Sequence, residues 1–176
     1  MPALNQHFFS TGILLVGPVG SDLTEADHRI AAVQDASFEL SFQKAEVFET
    51  PQESLYAVAI GHHSGQCRLR ATAESIDRRM YTALLNAEES GGSPNTITVH
   101  QLVKPQFQKV VLQGLDADDA PITITLFRAI CMGLTLGTRL TGFGSIPLDF
   151  EAYPSADNLA ANGQKGICSI LFGEAP

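Results

Sequence analysis

The chain has 176 residues and a mass of 18.8 kDa, which corresponds to about one domain. Hydrophobic residues make up 44% of it and charged residues 17%, a balance that excludes a disordered, highly charged polypeptide. Basic side chains number 11 and acidic ones 19, giving a formal net charge of −8. This charge disfavours proteins that hold phosphate backbones or anionic membranes with Lys and Arg, and it is compatible with a surface that repels nucleic acid.

Four strands are predicted in the first half of the chain. Apolar residues form short runs at Ile13–Val16 and Leu55–Gly61, and they alternate with polar residues at 36–43 and 66–74. Each alternating segment has one apolar and one polar face. The charged stretch Thr24–Ile30 predicts a loop or a short helical turn.

One segment predicts a well-formed helix between Ser75 and Glu88. Ser75 is a good N-cap, and Asp77 lies in the first turn, where a negative charge interacts favourably with the helix dipole. The breaker cluster Ser90–Pro94 ends it. The apolar residues at helical spacing are Ile76, Met80, Ala83, Leu84 and Ala87.

The second half returns to strand patterns. A polar tip at 116–121 separates two apolar segments and predicts a hairpin, and Gly133 predicts a bulge or bend in the long second segment. Residues 154–166 are interpreted as a loop. The predicted strands are Thr96–Val103, Phe107–Leu115, a run from Ile122 towards Leu140, Ile146–Glu151 and Ile167–Phe172.

These elements predict a mainly β fold, a β-sandwich or partial barrel of eight or nine strands with one central α-helix. We expect a single domain over residues 1–176, with the helix covering one open end or face.

The cysteines and the termini indicate the compartment. Cys67, Cys131 and Cys168 form no CxxC pair, and their odd number predicts reduced, buried thiols. No apolar segment approaches the roughly 20 residues of a spanning helix, and no basic stretch precedes Ile13–Val16, so we expect synthesis in the cytoplasm without a secretion signal.

No motif predicts catalysis, a cofactor or a metal. His62 and His63 are adjacent, so on a strand they point to opposite faces and do not readily share one metal. The glycine-rich stretch 137–144 lacks the Gly-Lys-Ser/Thr ending of a P-loop, and 116–119 lacks EF-hand spacing. Arg78 and Arg79 are interpreted as a solvated helix face or as salt-bridge partners of another subunit.

The informative pattern is a set of strands with one polar face. A one-sided antiparallel sheet can face bulk water, or it can line a water-filled channel shared between copies. The polar residues are Ser37, Glu39, Ser41 and Gln43 on one segment, Thr123 and Thr125 on another, and Asp149 and Glu151 on a third.

The order of elements resembles the tail tube proteins of contractile-tailed bacteriophages and of related contractile injection systems. The resemblance covers residues 35–154. It is carried by SFELSF at 37–42, by RLRATAESIDRRMYTALLNA at 68–87, by hairpins with a polar tip at 116–121, and by IPLDFEAYP at 146–154.

The resemblance implies hexameric rings that join their strands into a continuous β-barrel and stack into a tube. DNA would pass through without specific binding. The implied partners are the chain itself, a tail sheath protein, a tape-measure protein, and baseplate and tail terminator proteins; the implied location is the virion tail, with no membrane insertion. Lumen-lining candidates are Glu39, Ser41, Gln43, Asp149 and Glu151; ring-stacking loop candidates are Phe48, Glu49, Thr50, Pro51 and Gln52.

Further assignments and alternative functions are compatible with the sequence. Segments 1–34 and 155–176 are assigned to contacts between subunits, Arg68 and Arg70 to pairing with acidic residues of a neighbouring copy, and exposed cysteines to disulfides between subunits. The tube of a type VI secretion system or of a tailocin shares the implied fold. A small-ligand-binding β-barrel predicts an enclosed apolar pocket, and a hydrolase using His62 or His63 predicts a cleft.

Overall fold

The computed structural model describes residues 4–47, 59–74, 78–85, 87–91, 96–98, 106–115, 120–134, 145–159, 163 and 165–173. Strands dominate this part of the chain. The elements are β1 (Leu4–Pro18), α1 (Glu25–His28), β2 (Arg29–Val47), β3 (Ala59–Ala73), α2 (Arg78–Leu85), β4 (Glu88–Ser90), β5 (Thr96–Thr98), β6 (Gln108–Leu115), β7 (Pro121–Leu134), β8 (Ile146–Ala152), β9 (Ser155–Leu159), β10 (Lys165–Gly166) and β11 (Cys168–Phe172).

Six antiparallel strands close into a barrel. The main sheet has the order β11-β7-β6-β1-β2-β3-β8, and β7 also pairs with β8, which joins the two sides. Closure satisfies the backbone groups that an open sheet leaves at its edges. The fold is therefore mainly β and barrel-like, as predicted.

The barrel interior is filled by side chains. A six-stranded barrel is narrow, so inward-facing residues of opposite strands meet at its centre. The largest fully buried side chains include Leu14, Leu69, Ile124, Leu126, Ile146, Leu148 and Phe150. They belong to four of the six barrel strands, and Val33 of β2 and Val110 of β6 join them in the same cluster, so one core holds the barrel together.

The helix α2 lies beside α1 and the barrel. Leu84, which is 5% exposed, joins the core cluster, and Arg79 donates a hydrogen bond to the carbonyl of Ala26 at 3.2 Å. The helix predicted from Ser75 is thus present over Arg78–Leu85; Ser75–Asp77 lie outside the described residues. The charged stretch at 24–30 contains the short helix α1, in agreement with the predicted helical turn.

Two strand predictions need correction. The sequence analysis placed Gly61 and Gln66 on separate strands. In the structure both lie on β3, because residues between them continue the pairing with β2. The predicted loop at 154–166 contains β9 and β10, which pair antiparallel, and Gly163 between them has φ of 79°. The described residues contain 11 strands, more than the eight or nine expected.

The predicted bend at Gly133 is confirmed. The pairing of β7 with β8 shifts register between Cys131 and Gly133, the signature of an extra residue in one strand. The strand β7 spans 14 residues and pairs along the same edge first with β11 and then with β8.

Candidate functional site

The outward side of β2, β3 and β8 forms a polar face. Residues of one parity on each strand point into the barrel, and their neighbours point out. The cross-strand register places Glu39, Arg68 and Glu151 in one row and Ser37, Arg70 and Asp149 in the next. We define the polar face as Asp35, Ser37, Glu39, Ser41, Gln66, Arg68, Arg70, Thr72, Asp149 and Glu151.

Asp149 joins the two arginines of this face. Arg68 donates from Nε to Asp149 Oδ1 at 2.7 Å and from Nη2 to Oδ2, so the pair is bidentate. Arg70 Nε lies 3.8 Å from Asp149 Oδ2. Arg68 reaches Asp149 diagonally, because its direct neighbour on β8 is Glu151.

The electrostatics of the face are centred on Arg68. Its hydrogen bond to Asp149, followed by the charges of Asp149, Glu151 and Glu39, raises the pKa of the Arg68 guanidinium. The side chain is 40% exposed, so water screens these interactions in part. Four carboxylates and two guanidiniums share the face, which therefore carries net negative charge.

Two shallow depressions lie on the polar face. One of about 610 Å³ is bordered by Asp35, Ser37, Arg70, Met132 and Asp149. A smaller one of about 80 Å³ lies between Glu39, Ser41, Gln66, Arg68 and Glu151. Both are open to solvent on the outer wall of the barrel.

Two stretches of the main sheet pair on one side only. Residues 4–12 of β1 pair with β2 alone, opposite its residues 33–40, and residues 59–66 of β3 pair with β2 alone, opposite its residues 41–47. β1 pairs with β6 only from Ile13 onwards, and β3 pairs with β8 only from Cys67 onwards. Among the described strands, none pairs with the outer edges of residues 4–12 and 59–66.

The structure brings most of the predicted lumen residues together. Glu39, Ser41, Asp149 and Glu151 all lie on the polar face. Gln43 occupies a β2 position opposite His63, but its side chain lies outside the described residues. The predicted stacking loop Phe48–Gln52 falls between β2 and β3 and also lies outside them.

The sequence analysis predicted the wrong partner for Arg68. Arg68 pairs with Asp149 of its own chain, 81 positions away, where an acidic residue of another copy was expected. Asp35 and Thr72 were not singled out, although they continue the same rows. The parity of Arg68 and Arg70 within the alternating segment is the signal that places them on the polar side.

The other residues considered for chemistry fall wholly or in part outside the described residues. His62 and His63 occupy β3 positions opposite Lys44 and Gln43, and their side chains lie outside the described residues. Residues 116–119 and 137–144 lie outside them too. In the part of the chain that the structure describes, no group of three His, Cys, Asp or Glu could hold a metal, and no helix is long and apolar enough to cross a membrane.

The chain was compared with known proteins by sequence and by structure. No protein-family model and no curated protein matches it. It is similar to a solved structure described as "Crystal structure of Hcp protein", with 13% sequence identity and a TM-score of 0.35. The similarity covers 91% of this chain and 98% of that chain.

Proposed function

We propose that the chain is a structural subunit, without catalytic activity, whose copies close into six-membered rings that stack into the inner tube of a contractile phage tail. The observation that carries this proposal is the polar face together with the open edges of β1 and β3. A net-negative sheet surface lies beside two stretches, residues 4–12 and 59–66, whose outer edges are unpaired among the described strands.

Unpaired edges favour assembly. Residues 4–12 and 59–66 offer backbone donors and acceptors on opposite sides of β2, at staggered positions along it, so each copy can continue the sheet of the next. Repeated around an axis, such pairing closes a ring and removes every edge. In that ring we place the polar face towards the bore.

The charge of the face suits a conduit for DNA. Carboxylates repel phosphates, and Asp149 and its neighbours occupy the arginines that would otherwise retain them. Glu39, Ser41, Gln43, Asp149 and Glu151 are the proposed lumen residues, and Phe48–Gln52 the proposed contact between rings.

Other surfaces are assigned to partners within this proposal. Leu159, Leu171 and Phe172 are large, apolar and at least half exposed, which supports the C-terminal segment as a contact between subunits. The tail sheath, tape-measure, baseplate and tail terminator proteins are the proposed partners, and the virion tail is the proposed location. The tube of a type VI secretion system or tailocin is the variant of this proposal with a different cargo.

The filled barrel favours the tube over a small-ligand-binding barrel. A ligand barrel needs an enclosed apolar pocket, whereas side chains such as Phe150 and Leu69 occupy the described interior. The depressions described above lie on the outer, polar wall.

Electron microscopy of the purified full-length chain tests the proposal. We expect six-fold rings with a central hole and, at higher concentration, stacked rings. A chain that sediments as a monomer at every protein and salt concentration would contradict it.

A matched pair of proline variants tests the edge contact. Gln6→Pro and His7→Pro change adjacent amides of β1, of which one points to β2 and the other to the open edge. We expect one variant to keep the monomer's stability and lose the rings. If both variants assemble as well as the wild type, the edge of residues 4–12 does not join copies.

A further inference from the structure

Two cysteines on different strands approach each other at the barrel wall. Cys67 on β3 lies opposite Ala152 of β8, and Ala152 lies opposite Ala129 of β7. Ala129 also pairs with Gln108 of β6, so β8 occupies the other edge of β7. The strand β11 shares that edge.

The start of β11 brings Cys168 to the same region. Cys168 lies opposite Leu126, three positions before Ala129 on β7. Since β8 and β11 follow one another along one edge, Cys168 lies near Ala152 and, beyond it, near Cys67.

Both thiols face the core. Cys67 and Leu126 are fully buried, and Cys168 is half-buried and packs against the core cluster. The alanines at 129 and 152 are small, buried residues of the same region. The side chains of Cys67 and Cys168 interact with each other.

We propose that Cys67 and Cys168 form a reversible disulfide within one chain, a redox-sensitive bond that ties β11 to β3. In the structure both are thiols. This inference does not depend on tube assembly, since both partners belong to the same copy.

Cys168 is the attacking residue. The interaction between the two thiols lowers the pKa of Cys168, whereas it and desolvation raise the pKa of Cys67. Cys168 is also the more exposed of the two, so it meets a dissolved oxidant first.

The reaction proceeds by thiol–disulfide exchange with a small disulfide such as oxidised glutathione. The Cys168 thiolate attacks one glutathione sulfur, forms a mixed disulfide and releases a glutathione thiolate, which takes a proton from water. The Cys67 sulfur then attacks the Cys168 sulfur, and its proton goes to the departing second glutathione. The two cysteines are oxidised, and one glutathione disulfide is reduced to two thiols.

The bond would stabilise the closed barrel. It links residues 101 positions apart in the chain, and cross-links that close long loops restrict the unfolded chain most. β11 has its one described pairing with β7, so a bond to β3 would give it a second attachment to the barrel.

The test is incubation of the full-length chain in oxidised and then in reduced glutathione. We expect a monomer lighter by two hydrogen atoms, a Cys67–Cys168 linked peptide after proteolysis, and a melting temperature higher by roughly 5–15 °C that returns on reduction. Cys168→Ala should abolish all three changes, and Cys131→Ala, a half-buried cysteine on β7, should abolish none.

Three results would contradict the proposed disulfide. Failure of the wild type to lose two hydrogen atoms in excess oxidised glutathione overturns the proposal, and so does a bond that includes Cys131 or links two copies. Cys67→Ala serves as a second variant and should abolish the same three changes. If the loss of this buried side chain prevents folding, the result for Cys168→Ala alone decides whether the disulfide forms.

Discussion

Asp149 is the residue that organises the polar face. It accepts two hydrogen bonds from Arg68 and lies near Arg70, and its side chain is 27% exposed. Bidentate geometry makes this pair stronger than an ordinary surface ion pair, while partial exposure limits its contribution.

Replacing this carboxylate measures that contribution. We expect Asp149→Asn to lower the free energy of unfolding by about 1 kcal/mol, because one charge of a partly exposed bidentate pair is lost. Asp22→Asn, at an exposed aspartate before α1, is the matched control and should have a much smaller effect. Urea unfolding compares them, and equal losses would mean that the pair does not stabilise the fold.

Tyr153 makes the stability of the chain depend on pH in the alkaline range. Desolvation, then the charge of Glu151 and a hydrogen bond to it, raises the pKa of the Tyr153 hydroxyl above its usual value. Because the pKa of Tyr153 is higher in the folded chain than in the unfolded chain, the neutral hydroxyl contributes its full stabilisation below about pH 10. This contribution to the free energy of unfolding is lost as the pH rises through the folded-state pKa.

A phenylalanine variant isolates this effect. We expect wild-type stability to fall more steeply than that of Tyr153→Phe as the pH increases above about 10. The ring is edge-on to Phe107 at 5.7 Å, a contact that Phe preserves. Parallel stability curves, measured by urea unfolding at a series of pH values, would contradict it.

At the scale of elements, the close approach of β1 to β6 requires glycine at position 12. A Cβ there would lie 2.9 Å from the backbone oxygen of Gln113, which cannot move without disturbing the sheet. We expect Gly12→Ala to cost about 1–3 kcal/mol. Gly91→Ala is the control, since a Cβ at Gly91 meets nothing within 4 Å; thermal unfolding of both variants decides.

The helix α2 is held to the core by Leu84. We expect Leu84→Ala to cost about 2–4 kcal/mol, because a buried leucine leaves a cavity when truncated. Leu159→Ala, at a side chain that is 59% exposed, should change stability far less. Denaturant midpoints give the comparison, and similar shifts would mean that α2 packs loosely.

The accuracy of the sequence-based predictions differed between elements for physical reasons. Phe38 and Leu69 could be assigned to inward faces because alternation with period two is visible in the sequence. The strand Ser155–Leu159 was missed because only Ser155 of its residues is buried, so it lacks that alternation. The pairing of Arg68 with Asp149 could not be predicted, because it depends on which distant strands become neighbours.

At the scale of the whole molecule, the net charge of −8 opposes the proposed assembly. Raising the salt concentration from about 10 mM to about 150 mM shortens the screening length from roughly 30 Å to roughly 8 Å. We therefore expect the fraction of rings in sedimentation velocity to increase with salt over this range.

A neutralised variant serves as the control for this salt effect. In Glu39→Gln/Glu151→Gln the repulsion between polar faces is smaller, so assembly should depend less on salt. Rings that dissociate on addition of salt would instead mean that attractive charge pairs join the copies.

The amino-acid sequence by itself determined that this chain is a mainly β protein with a helix near residue 80, a polar side to its strands and an acidic balance. These properties depend on local periodicity and composition, which are visible along the chain. Only the tertiary structure decided that six strands close into a barrel, that Arg68 meets Asp149 and that Cys67 meets Cys168. Those contacts join residues 81 and 101 positions apart, and the pairing of distant strands is a property of the whole packed chain.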